Sequence, residues 1–213
     1  MAIDPAEAVS RHVERGRPLI ICDVDEVVLH FVSPFETFLK DHGAQLNKTS
    51  FKIGGNIIDV DSGNAYSNHD ASEFVARFHR SYIDRQPPVD EAVDYLDRLS
   101  GDFQIVFLTN VPEELGIRRA AHLQSLGLNF PVLANSGSKA ETVAALSSKA
   151  DAPAVFIDDL PPHHFMVKTA VPSIHCIHFM ADETFRRLAE IDDNLVTRTE
   201  SWQDISAACL KIL

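Results

Sequence analysis

The sequence is poor in cysteine, in long apolar runs and in positive charge. Its three cysteines, Cys22, Cys176 and Cys209, are odd in number, widely spaced and set among apolar neighbours. That pattern speaks against a disulfide framework and suits buried thiols in a reduced, cytoplasmic protein. No apolar stretch is long enough to cross a bilayer. The start, Met1-Ala2-Ile3-Asp4-Pro5-Ala6-Glu7, carries acids and lacks the basic patch and apolar run of a secretory signal. Lys and Arg number 19 against 31 Asp and Glu, a net charge of -12. Nothing resembles a basic stripe able to displace counterions, so neither nucleic acid nor membrane is an expected partner. Internal repeats and low-complexity tracts are also missing. Small substrates stay open, but an anionic one needs local help from a metal ion, a lysine or helix N-termini.

What is present is the composition of an ordinary globular protein, 45% hydrophobic and 23% charged over 213 residues. That length supports one large or two modest domains without cross-links. Short apolar runs alternate with amphipathic stretches, as when crossover helices join parallel strands, so an α/β domain is expected. The runs are Leu19 to Cys22, Phe103 to Leu108, Pro131 to Ala134, Ala154 to Ile157 and Ile174 to Phe179. Val89, Ala92, Val93, Leu96 and Leu99 fall at helical spacing before Gly101, and Leu115, Ile117, Ala121, Leu123 and Leu126 do so before Gly127. About eighty residues separate the first two runs, far more than a crossover requires, so a segment is inserted there. Phe35 to His42 and Ala71 to Arg85 read as helix, and Phe51 to Val60 with the following Asp61 to Asn64 as strand and turn. The expected organisation is a core over 1–31 and 88–213 with a small mixed domain inserted over 32–87, ending at Pro87-Pro88.

Aspartates gather directly after two of the apolar runs, Asp23 and Asp25 after the first, Asp158 and Asp159 after the fourth. In an open parallel sheet these positions lie at the carboxyl ends of strands, where ligands bind. Carboxylates sharing one crevice repel one another, and a hard divalent cation held by oxygens resolves the conflict. Helix capping explains either pair alone equally well. Thr109 and Asn110 follow the second run, where a hydroxyl and backbone N–H groups could hold phosphoryl oxygens, although a threonine there by itself is more often a cap. Lys139 sits near the start of the helix after the third run, an unfavourable end for a cation unless an anion is near; a solvated surface lysine is the plainer alternative. His163-His164 and the pair His175, His178 suggest zinc only weakly, since no cysteine or acid completes a set at ligand spacing. His69, His79, Arg77, Arg80, Lys48 and Lys52 fall in the insert, where any could meet a leaving group and most would be solvated.

The order Asp-x-Asp, Thr, Lys, Asp-Asp, each after its own strand, resembles the four-motif signature of the haloacid dehalogenase-like (HAD) hydrolases. Ile20-Ile21-Cys22-Asp23-Val24-Asp25-Glu26-Val27-Val28 is similar to the first motif, Phe107-Leu108-Thr109-Asn110 to the second, Lys139 to the third and Val155-Phe156-Ile157-Asp158-Asp159 to the fourth. The resemblance spans the chain, and the insert stands where the family carries its cap. Glu26 departs from it, since many members have glycine there. The resemblance implies a Rossmann-like parallel sheet flanked by helices, with a small inserted cap domain hinged near Phe31 to Pro34 and Gln86 to Pro88. It further implies a magnesium-dependent phosphohydrolase acting on small phosphate monoesters, with a small phosphorylated metabolite as partner. Asp23 would be the nucleophile that forms an aspartyl-phosphate, and Asp25 the acid and then the base. Mg2+ would be held by the Asp23 side chain, the Asp25 carbonyl and Asp158, with Asp159 behind them and Thr109, Asn110 and Lys139 on the phosphate. Asp25 argues against dehalogenase and phosphonate-cleaving chemistry, because an alkoxide leaving group needs a proton. An idle HAD-like scaffold with a binding or regulatory role is the alternative, since fold does not establish activity.

Overall fold

The structure, a computed structural model, describes residues 13–213. The acidic start at Met1 to Glu7 lies outside the described residues.

Six parallel strands form the central sheet: β1 (Leu19–Cys22), β4 (Gln104–Asn110), β5 (Val132–Asn135), β6 (Ala154–Asp158), β7 (His175–His178) and β8 (Thr197–Arg198). Their spatial order is β5-β4-β1-β6-β7-β8. The chain starts in the middle, lays β4 and β5 on one side, then crosses to β6 on the other. β1 pairs with both neighbours in register, Cys22 opposite Phe107 and Ile157. Order therefore reverses at β1, and in an open sheet the crevice beyond the carboxyl ends at such a reversal is where ligands sit.

Alternation along the buried strands builds two cores. Ile20, Cys22, Ile105, Phe107, Val155 and Ile157 face one side and pack with Leu96 and Leu99 of α3 (Ala92–Leu99), Leu123 of α4 (Gly116–Ser125) and Trp202 of α8 (Trp202–Leu210). Leu19, Ile21, Val106, Leu108 and Phe156 face the other, against Val143 and Leu146 of α5 (Ala140–Ala150) and Val167 of α6 (Pro161–Ala170). Both faces are covered, which is why the strands read as continuous apolar runs. Among the described residues no helix is long and apolar enough to cross a membrane.

The segment between β1 and β4 holds α1 (Val32–Lys40), the antiparallel pair β2 (Ala44–Leu46) and β3 (Ile57–Asp59), and α2 (Asn68–Tyr82). Its aromatic cluster has Phe78 edge-on to Phe31, Phe35 and Phe38. Met180 and Phe185, the latter on α7 (Glu183–Leu188), join this cluster from beyond the sheet.

The structure corrects the local reading in three places. Phe51 to Asn56 is loop, and only Ile57–Asp59 is strand, paired with a β2 too short for its pattern to show. β8 and helices α6, α7 and α8 carried no sequence expectation; α6 opens on Pro161-Pro162, which suits the first turn of a helix. Ile117, read as a core residue of α4, is 84% exposed, while Arg119 is fully buried.

Candidate active site

Asp23, Thr109 and Asn110, Lys139, and Asp158 with Asp159 come from four separate chain segments and meet at the carboxyl ends of β1, β4 and β6. The Asp23 amide donates to Ile157 O at 2.9 Å, which ties the start of the first loop to β6. Lys139, just before α5, is buried with no exposed side-chain surface, so it is not the surface lysine allowed by the sequence. Its ammonium bridges Asp23 Oδ1 at 2.6 Å and Asp158 Oδ2 at 2.7 Å. Burial works against the charged amine, but the two carboxylates outweigh it and hold its pKa above the ordinary value.

Asp158 is the most fully engaged acid. Besides Lys139, it accepts from Leu160 N at 2.9 Å and from His163 Nδ1 at 3.0 Å, while its backbone oxygen accepts from His164 Nε2 at 3.0 Å. His178 Nε2 donates to Asp159 O at 2.9 Å. Three of the histidines weighed for zinc thus fasten the Asp158-Asp159 pair from behind. Asp159 is different: among the described residues nothing donates to its carboxylate, and burial, then Asp158 and Asp23, push its pKa well up. Asp23 is raised to about 6, by burial first, with Lys139 opposing and Asp158 adding.

Asp23, Asp158 and Asp159 offer carboxylate oxygens that lie within 4.8 Å of one another. Three ionised carboxylates against one ammonium would put two negative charges in a buried place; the raised pKa values of Asp159 and Asp23 reflect that cost, and a divalent cation would balance it. The donor set is all oxygen and hard, as magnesium requires. Asp159, expected behind the ligands, brings a carboxylate oxygen within 4.8 Å of those of Asp23 and Asp158, whereas the Asp25 carboxylate is turned to Arg119.

Asp25 sits in a second buried cluster that sequence reasoning missed. Arg119 Nη2 reaches Asp25 Oδ1 at 2.8 Å and Oδ2 at 3.1 Å, and Gln86 Nε2 donates to Oδ1 at 2.7 Å. His79 Nε2 is 3.6 Å from Oδ2 and, among the described residues, has no hydrogen-bond partner of its own. Burial pushes the Asp25 pKa up, but Arg119, then His79 and Gln86, outweigh it and hold the carboxyl well below the usual range. Arg119 Nε and Nη1 and Gln86 Oε1 are also buried without partners among the described residues. Leu115, Arg119 and Leu123 at i, i+4 spacing would have flagged the arginine as part of the buried stripe.

Thr109, on β4 next to Asn110, is fully buried, and among the described residues its Oγ1 has no hydrogen-bond partner. The Asn110 side chain donates to Gly137 O at 2.9 Å and accepts from Asn135 Nδ2 at 2.7 Å, so it shapes the loop that leads to Lys139.

Glu26 takes φ 62°, the left-handed conformation that favours glycine. What compensates is its carboxylate: Oε1 accepts from Phe31 N at 2.8 Å and Val32 N at 2.6 Å, and Oε2 from Asp182 N at 2.7 Å. Glu26 therefore caps α1, whose own N-cap residue Phe31 supplies no side-chain acceptor, and ties the entry of the insert to the loop after β7. Lys48 adds a second tie, reaching Glu36 at 3.1 Å and Asp182 at 2.7 Å.

The histidine that fastens Asp159 makes the site sensitive to acid. Burial, with repulsion from His164, drops the His178 pKa to about 4 from an ordinary 6.5. A folded pKa below the unfolded one means that the unfolded chain takes up the proton first. Stability from this group is complete above about pH 6.5 and is lost as pH falls towards 4, at ~1.4 kcal/mol per pH unit at most. His178→Gln keeps a donor for Asp159 O and should flatten the decline by about one proton. Denaturant midpoints measured across that interval check this, and an unchanged slope counts against it.

No family model matches the sequence, and the comparison with curated proteins gives no match. Solved structures do match in fold. A HAD-like family hydrolase from Streptococcus pneumoniae has 15% identity and a TM-score of 0.59 over 90% of this chain and 97% of that one. A predicted phosphoglycolate phosphatase from Haemophilus somnus has 16% identity and a TM-score of 0.57 over 91% and 96%. The HAD-hydrolase YfnB of Bacillus subtilis, bound to magnesium, has 13% identity and a TM-score of 0.58 over 92% and 99%. An L-2-haloacid dehalogenase is also among them. The chain thus has the haloacid dehalogenase-like fold, the likeness running nearly end to end.

Proposed function

We propose that this protein is a magnesium-dependent phosphohydrolase of the HAD type that cleaves small phosphate monoesters through Asp23. One observation carries the reading: a fully buried lysine bridges Asp23 and Asp158 while the Asp159 carboxylate, without a donor among the described residues, stands beside them, an all-oxygen nest at the strand-order reversal. The dehalogenase among the neighbours shares the fold, but carbon–halogen cleavage has no use for such a nest.

Asp23, Asp158 and Asp159 would hold Mg2+, together with the Asp25 carbonyl that the resemblance implies. The cation supplies charge neutralisation at the phosphoryl oxygens. Asp23, through the oxygen free of Lys139, attacks phosphorus in line and expels the alcohol, giving an aspartyl-phosphate that water then hydrolyses. Lys139 and the free Thr109 hydroxyl donate to the equatorial oxygens, and Asn110 sets the loop that carries Lys139. Asp25, held ionised by Arg119, is suited to take the proton from water. The proton it gives the leaving oxygen must first reach it, and His79 Nε2 is the neighbour placed to pass one.

Residues 32–87 would act as the cap, with Glu26 and Lys48 holding it down over the site. The substrate class is a small phosphorylated metabolite, and the three free buried cysteines accord with a cytoplasmic setting.

Hydrolysis of p-nitrophenyl phosphate is expected to be abolished by chelation and restored by added magnesium, with Asp159→Asn and Asp158→Asn each raising the magnesium required. Absence of any metal-dependent turnover would favour an idle scaffold, and an unaltered magnesium requirement in both variants would refute the ligand set.

A further inference from the structure

We infer that the chamber above Asp23 selects monoesters of aryl or alkyl alcohols over those of polyols and sugars, an inference that rests on the phosphohydrolase reading and narrows it. The cavity that opens on Asp23 and Lys139 has a volume of about 200 Å³. The groups that recognise phosphate lie at its floor, so the rest of its wall meets the leaving group. Most of that wall is apolar, with Val32, Phe51, Ile53 and Val75 from the insert and Met180 and Phe185 from beyond β7. Phe51 and Phe185 meet edge-to-face at 6.2 Å and join its two sides.

The polar residues that border the same space have little to offer a hydroxyl. Both Glu26 oxygens are taken by three backbone N–H groups. The Asn110 amide is committed to Gly137 and Asn135. Of the remaining polar side chains that border it, His79 is set against Asp25 at 3.6 Å, His163 donates to Asp158 through Nδ1 at 3.0 Å, and Lys52 is exposed to solvent, so the hydrogen-bonding groups stand apart from the apolar wall. A sugar or glycerol hydroxyl laid against the apolar wall would lose water and gain no partner there, which weakens binding by roughly tenfold or more for each such group. Each methylene or ring carbon buried there strengthens it by about fourfold. The space falls below the roughly 300–1,000 Å³ of sites for drug-sized ligands, so it suits one ring or a short chain rather than a nucleoside.

The test compares kcat/KM for benzyl phosphate and glycerol 1-phosphate on the magnesium-loaded full chain, both being esters of primary alcohols. Benzyl phosphate should be favoured by on the order of tenfold or more, and Val75→Asn should shrink the ratio. Equal or reversed values for the wild type would overturn the inference and leave the phosphohydrolase reading standing. If neither ester is hydrolysed, that reading fails, and the chamber is judged by calorimetric binding of benzylphosphonate against 2,3-dihydroxypropylphosphonate. Tighter binding of the benzyl compound upholds the apolar selection, and equal binding overturns it. Should Val75→Asn not fold, the wild-type ratios decide alone.

Discussion

Asp23→Asn is expected to lower turnover by on the order of 10⁴-fold or more and, without metal, to make the protein more stable rather than less. The first effect follows from chemistry, because the amide keeps the shape of the side chain but cannot form the acyl phosphate. The second follows from the electrostatics of the nest. Burial and the nearby Asp158 raise the Asp23 pKa to about 6 even though Lys139 lies 2.6 Å away. A folded pKa above the unfolded value means that the ionised carboxylate opposes folding once the pH exceeds both, by at most roughly 3 kcal/mol for a shift of this size. Removing the charge should therefore raise the metal-free Tm by several degrees at pH 7. The gain should fade as pH falls below about 4, where the wild-type carboxyl is neutral in both states. It should also shrink when magnesium is added, because the wild type then gains binding free energy that the variant cannot match. A variant that is less stable than the wild type at pH 7 without metal would show that Asp23 is not under electrostatic strain. Retained turnover would remove it as the nucleophile.

The sheet and the acid nest were legible because both are written in local sequence. Strands buried on two faces show as short apolar runs, and an aspartate immediately after such a run has only the strand's carboxyl end to occupy. Lys139 was legible as an oddity, a cation at the wrong end of a helix, and the fully buried ammonium between Asp23 and Asp158 gives its reason. The pairing of acids was harder to read. Asp25 lies two residues from Asp23, yet the left-handed turn at Glu26 and the backbone bonds to Val24 O send its carboxylate to Arg119. Arg119 was passed over because it is charged and Ile117 is apolar, although Arg119 stands four residues from both Leu115 and Leu123; the exposed isoleucine and buried arginine invert the hydrophobic rule for the sake of one carboxylate. The two helices between β1 and β4 were legible. The β2–β3 pair was not, since three residues a side is too short for alternation to emerge. Nor could sequence show that Met180 and Phe185 complete the insert's aromatic cluster, a contact across more than a hundred residues.

Arg119→Met is expected to cost about 3–5 kcal/mol of stability, the penalty for leaving one member of a buried ion pair alone. The guanidinium has no exposed side-chain surface and the Asp25 side chain is 19% exposed, so solvent can do little to replace it. Gln86 would still donate to the carboxylate, and His79 would remain near, which places the loss towards the lower end of that interval. Thermal unfolding should show a drop of roughly 6–12 °C. The pH dependence identifies the cause. With Arg119 present the folded Asp25 pKa is depressed, so its contribution to stability holds above the unfolded carboxylate pKa near 4 and is lost only as pH falls through the lower folded value. In the variant the carboxyl is free to rise and take a proton, so the gap between variant and wild type should narrow below about pH 4. The double variant with Asp25→Asn should recover part of the loss, because the uncompensated charge is gone, and the difference from additivity measures the pair. Activity should respond to the leaving group. Asp25→Asn removes the base, so hydrolysis of an alkyl phosphate should fall roughly a hundredfold or more, and an aryl phosphate, whose leaving group needs no proton, should still phosphorylate Asp23 and release a burst of phenol. If Arg119→Met instead unfolds within 1 kcal/mol of the wild type and the double variant is no better, Arg119 does not hold the Asp25 carboxylate. Asp25 would then be free to start the reaction protonated, and the relay through His79 would have no purpose.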